Sequence, residues 1–172
     1  MQGRRPARPL SGVARCRCAT RSSARGGRAL DSLRLEKGFG TWAREFRPTY
    51  GPDEAGLGRF VDWRRDGFVG QEAALAARAA GGGPLRLVGF AIEAADADAI
   101  GDEPVWHDGT VVGVVTSGGY AHGVGQSMAL GYVPKALAQA DDGFEIEIMG
   151  ERRPARRLDG AAFDPEGARM RA

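Results

Sequence analysis

Apolar positions from Ala29 to Gly38 put Leu30 and Leu33 on one side of a short helix. Lys37 and Gly38 end it, a cation followed by a residue that tolerates the left-handed conformation. Glu36 is out of place there, because a carboxylate in the last turn faces the negative end of the helix dipole. Position alone favours a solvated glutamate on a polar face. From Phe39 to Gly58 the pattern is broken by Pro48, Gly51, Pro52 and Gly56, and Trp42, Phe46 and Tyr50 fall four apart, as core or lid residues. A second helix is predicted over Gly70 to Ala80, alanine-rich, with Val69, Ala73, Ala76, Ala77 and Ala80 at near-helical spacing. Such a helix should pack closely on a neighbour. It stops at Gly81-Gly82-Gly83-Pro84, the clearest linker in the chain.

Beyond the linker the period becomes strand-like and the residues β-branched and aromatic. Strands are predicted at 85–93, 104–107, 110–117, 126–133, 144–149 and 154–159. Asp108-Gly109 between two of them is a two-residue hairpin signal. Six short strands with frequent turns predict a small antiparallel barrel or sandwich, an α+β chain overall. The four glycines between Gly118 and Gly125 read as a turn between two such strands. They are not a phosphate loop, since neither Gly-Lys-Ser/Thr nor a complete Gly-x-Gly-x-x-Gly is present. Three units are expected: 1–26 as a disordered leader, 27–80 as a helical portion, and 84–172 as a barrel able to fold alone.

Composition changes this picture mainly at the front. The chain has 172 residues and a formal charge of +2, but residues 1–30 hold eight arginines and no acid. The remainder carries 16 basic against 22 acidic residues, so the overall charge gives no ground for nucleic-acid binding. A leader rich in Arg, Ser, Gly and Pro cannot bury a core. It suits a mitochondrial transit peptide, a basic arm on nucleic acid, or a segment foreign to the fold. Both cysteines, Cys16 and Cys18, lie in it, and neither a second pair nor a nearby histidine completes a metal site. A cysteine-free remainder suits a cytoplasmic or organelle-matrix location, with cytoplasmic preferred. No stretch approaches the roughly 20 apolar residues of a membrane span.

Candidate chemistry is sparse. His107 and His122, the only histidines, have no serine or cysteine at a recognisable nucleophile elbow, which argues against a hydrolytic triad. Arg64-Arg65 before Asp66-Gly67 reads by itself as solvated surface.

Taken together, RALDSLRLEKGFGTWAREF (28–46), EAGLG (54–58), FVGQEAAL (68–75), LVGF (87–90), VTSGGYAHGVGQSMALGYVP (115–134) and FDPEGARMR (163–171) resemble the tetrahydrofolate-binding glycine-cleavage T-protein family. Within it the similarity is greatest to the folate-binding part of dimethylglycine and sarcosine dehydrogenases. The resemblance implies a helical tail of an incomplete folate-binding domain followed by a small antiparallel β-barrel. It also implies that Glu36 binds the pterin of tetrahydrofolate and that Arg65, with Arg64 as its rival, helps hold folate. A pterin presents an exocyclic amine and a ring N–H side by side, and one carboxylate accepts both. FAD would belong to an upstream flavin dehydrogenase domain or subunit, since this chain has no dinucleotide fingerprint. Nucleic acid and membrane are not implied as partners. The family's essential aspartate, upstream of the Arg-Leu-Glu run, has no counterpart, and its C-terminal aromatic is at best Phe163. The expectation is therefore a folate-binding fragment, inactive alone and with no catalytic residue. The alternatives are a remnant of a free-standing T-protein or a non-catalytic folate-binding module.

Overall fold

The computed structural model describes residues 26–171, so the expected leader lies almost wholly outside the described residues. The order of elements is α1 (Gly27–Glu36), α2 (Gln71–Ala79), then β1 (Leu85–Ile92), β2 (Pro104–His107), β3 (Thr110–Ala121), β4 (Gln126–Pro134), β5 (Phe144–Ile148) and β6 (Glu151–Leu158). The six strands close into an antiparallel barrel in the order β1-β4-β3-β2-β5-β6.

Alternation explains the closure. In β5 Phe144, Ile146 and Ile148 point inward while Glu145 and Glu147 face out. The inward side chains meet Phe90, Ile92, Val105, Val115, Ala129, Val133 and Ala155 in one core. Each large aliphatic or aromatic side chain buried there contributes about 1.5 to 3 kcal/mol. β4 departs from alternation, being buried from Ser127 to Val133. Its outer face is covered by the chain that precedes the barrel: Tyr50 stacks on Tyr132 with ring centroids 3.7 Å apart, and the Tyr132 hydroxyl donates to the carbonyl of Glu45 at 2.8 Å.

The Asp108-Gly109 hairpin forms as predicted, with φ of 48° and 75°, the double left-handed geometry of a tight hairpin turn. Met149-Gly150, with φ of 52° and 83°, makes an equivalent turn, so β6 starts at Glu151 rather than at 154. Pro154, the expected start of this strand, pairs with Glu145 inside the ladder. β3 runs four residues beyond its expected end, through Gly118 and Gly119, and only 122–125 form the turn. A Cβ on Gly118 would lie 2.6 Å from the Ala99 carbonyl oxygen, so close packing rather than turning requires glycine there.

Both helices exist, but neither buries the face expected of it. Leu30 and Leu33 are exposed, and the buried residues of α1 are Ser32, Leu35 and Glu36. α1 meets the barrel on β3 and β4, and a Cβ on Gly119 would just touch Leu35. α2 has no buried residue, and Val69 is fully exposed, so it does not pack closely on a neighbour. Alanine favours the helical backbone but offers little area to bury. Trp42 is exposed as well, whereas Phe46 lies over Gly40.

The Gly81–Pro84 run is held. Arg86 donates to the carbonyls of Gly81, Gly82 and Gly83, and Lys135 Nζ to that of Gly81 at 2.8 Å. Just beyond it, the Leu85 and Leu87 amides donate to Glu54.

Candidate functional site

Glu36 is not on a solvated face. As the last residue of α1 it is 2 % exposed, and Oε1 accepts two hydrogen bonds. One comes from Ser32 Oγ, a turn earlier, at 3.2 Å, and one from the Gly123 amide at 2.6 Å. Ser32 Oγ in turn accepts the His122 amide at 2.9 Å. Two residues four apart on α1 thus clamp two consecutive amides of the β3–β4 turn. Oε2 accepts no hydrogen bond among the described residues, and a Cβ on Gly123 would come within 2.5 Å of it. These donors offset what the helix dipole costs a carboxylate at this position.

The end of α1 is also bound from the far end of the chain. The carbonyl of Glu36, left without an intrahelical partner, accepts the Phe163 amide at 3.0 Å. Lys37 Nζ donates to the carbonyl of Asp164 and lies 3.5 Å from its carboxylate. Phe163 therefore lies beside Glu36, with the Arg169 guanidinium over its ring.

A second buried carboxylate, which sequence reasoning missed, sits behind the first. Glu45 is 0 % exposed and accepts bonds from the Thr41 amide and hydroxyl, from Thr116 Oγ1 at 2.7 Å and from Ser117 Oγ. Arg34 of α1 donates to Ser117 Oγ at 2.8 Å and approaches Glu45 to 3.7 Å. Burial pushes the Glu45 carboxyl up. The bonds from Ser117, Thr41 and Thr116 and the nearby Arg34 outweigh it and hold the group below the usual carboxylate range. The only local sign of this site was a threonine four residues before a glutamate; Thr116 and Ser117 arrive from more than seventy residues away.

Arg65 is not brought into either cluster. It is exposed in the turn before α2, where its carbonyl accepts Gln71 Nε2 at 3.2 Å, and its guanidinium has no ion pair among the described residues. Arg64 is likewise exposed. An open groove of about 450 Å³ is lined by Asp53, Arg59, Val61, Trp63 and Arg78. In it Arg78 lies flat on Trp63, 4.3 Å from the ring centroid. His107 packs edge-on against Phe144, and His122 against Tyr120. Among the described residues no three His, Cys, Asp or Glu side chains are placed to hold a metal ion. Among them, too, no helix is long and apolar enough to cross a membrane.

Comparison with known proteins agrees with this architecture. Residues 86–164 match the family described as glycine cleavage T-protein C-terminal barrel domain. The mitochondrial dimethylglycine dehydrogenase of Mus musculus is 36 % identical over 144 residues, 83 % of this chain but 16 % of that protein. An aminomethyltransferase of Synechocystis sp. is 39 % identical over 124 residues, covering 72 % of this chain and 33 % of the relative. The crystal structure of the glycine cleavage system aminomethyltransferase T from Bartonella henselae superposes with a TM-score of 0.67 at 27 % identity, over 77 % of this chain and 37 % of that one. The chain thus spans well under half the length of these relatives. By its closed barrel and by these matches, it belongs to the glycine cleavage T-protein family, of which it carries the C-terminal barrel domain.

Proposed function

We propose that this chain is the tetrahydrofolate-binding part of a one-carbon transfer module of the aminomethyltransferase type, working with a flavin dehydrogenase domain or subunit of the dimethylglycine or sarcosine dehydrogenase kind. The observation that carries the reading is the Glu36 carboxylate, buried and anchored through Oε1 while Oε2 accepts no hydrogen bond among the described residues. A ring edge with two adjacent N–H donors fits that arrangement. Oε2 takes one donor, and Oε1 takes the other as its longer bond, from Ser32, yields. Gly123 leaves the carboxylate uncovered where any side chain would close it off. Tetrahydrofolate, when bound, supplies the nitrogens that accept the one-carbon unit; this chain binds and orients it, and none of its residues is assigned a catalytic role.

Arg65, exposed and without an ion pair among the described residues, is proposed to attract the negatively charged glutamyl tail. FAD is assigned to the partner, not to this chain. Residues 27–80 are read as the end of the folate-binding domain and 84–172 as the barrel. Cytoplasm remains the proposed compartment beside the mitochondrion, which the names of the dimethylglycine dehydrogenases carry. The second reading, a free-standing glycine-cleavage aminomethyltransferase, is favoured by relatives of that name matching at comparable identity.

Calorimetric titration with tetrahydrofolate tests the reading. Glu36→Gln keeps the shape but turns one acceptor into a donor, so affinity should fall about tenfold, the equivalent of one lost charge-assisted bond. Glu72→Gln, on exposed α2, should bind as the parent does. Equal affinities for all three proteins would leave Glu36 as a clamp on the β3–β4 turn and nothing more.

A further inference from the structure

We propose that Lys37 and Asp164 are positioning residues for the Glu36 carboxylate, acting through the docked C-terminal segment from Phe163 to Arg169. This rests on the folate reading and extends it to residues that act through Glu36. The end of α1 and the segment are joined residue by residue: the Glu36 carbonyl accepts the Phe163 amide, and Lys37 Nζ donates to the Asp164 carbonyl and lies 3.5 Å from its carboxylate. No other donor to the Glu36 carbonyl is present among the described residues, so undocking the segment leaves the last turn of α1 open.

Asp164 is shaped for this task. It adopts a left-handed φ of 47°, which asparagine and aspartate tolerate better than most residues. Its Oδ1 accepts the Ala168 amide at 2.8 Å and its carbonyl the Gly167 amide at 2.9 Å, so the segment is folded on itself around the residue that Lys37 holds. The Lys37 and Asp164 side chains are 16 % and 11 % exposed, which shelters the pair from solvent screening. A docked segment fixes the end of the helix, and the fixed end sets where Oε2 points. Binding at Oε2 and docking of the segment are therefore coupled, and the coupling is reciprocal.

Three substitutions in the full chain, titrated with tetrahydrofolate, test the coupling. Lys37→Met and Asp164→Asn should each weaken binding roughly five- to tenfold, and Lys37→Arg should restore it. Amide exchange of the unaltered chain gives a reading that no substitution can confuse: tetrahydrofolate at saturation should slow exchange at Phe163 and Ala168. Parent-like affinity in Lys37→Met and Asp164→Asn, with Glu36→Gln weakened, overturns the positioning role and leaves the folate reading intact. Unchanged exchange at Phe163 and Ala168 in the saturated chain overturns it as well. Absence of tetrahydrofolate binding by the parent overturns both.

Discussion

Glu36 and Glu45 are two buried carboxylates in opposite situations. Both oxygens of Glu45 accept hydrogen bonds, so it is finished as a structural group, whereas among the described residues Glu36 keeps one oxygen open. A carboxyl held below its unfolded pKa, ordinarily about 4.3, favours folding at pH above that value, and the contribution is lost as pH falls through the folded value. The melting temperature should therefore hold from pH 7 to about 5 and then decline. Glu45→Gln should cost about 2 kcal/mol at pH 7, because Arg34 loses its buried partner, and should flatten the acid decline. Asp96, held low by its bond from Arg153, leaves a residual slope. Thermal melts at five pH values check both points, and a Glu45→Gln profile parallel to the parent's would refute the assignment. At Gly123 a methyl group would meet Glu36 Oε2 at 2.5 Å. Gly123→Ala should loosen the clamp and lower tetrahydrofolate affinity, while Gly27→Ala, where a Cβ meets nothing, should leave affinity alone.

At the scale of elements, the two hairpins carry their own local instructions. Gly109, at φ 75°, accepts no side chain without strain, so Gly109→Ala should destabilise the barrel by about 1 to 2 kcal/mol in urea unfolding. Strand positions were legible because barrel strands alternate, and alternation is written locally: Phe144, Ile146 and Ile148 could be read directly. The Asp108-Gly109 turn was equally plain. Met149-Gly150 was not, because methionine is an uncommon left-handed residue and gives no turn signal. The face of α1 was illegible for a deeper reason. Apolar spacing pointed to Leu30 and Leu33, but burial followed Ser32 and Glu36, whose partners at His122 and Gly123 lie about ninety residues away. The resemblance singled out Glu36, yet no local pattern showed how it is held, and Arg65 was named on resemblance alone.

For the molecule as a whole, the chain before the barrel divides into a docked and an undocked part. α1 and residues 38–60 are tied to the barrel through Leu35, Glu45, Tyr50 and Glu54, while α2 has no buried residue. Brief trypsin treatment should cut at Arg64, Arg65 or Arg78 first, and the pieces on either side should stay associated under native conditions. A single resistant fragment beginning near residue 84, as the linker reading implies, would mean that the docked part is held far more weakly than its contacts indicate. Closure of the barrel has a further consequence for how the protein behaves in concentrated solution. With β1 paired to β6, each of the six strands has a neighbour on both sides, and the barrel presents no bare row of amides to recruit a strand from another chain. Any clustering between copies is left to exposed side chains such as Leu30, Trp42 and Val69, which favours reversible, detergent-sensitive association over growth into cross-β fibres.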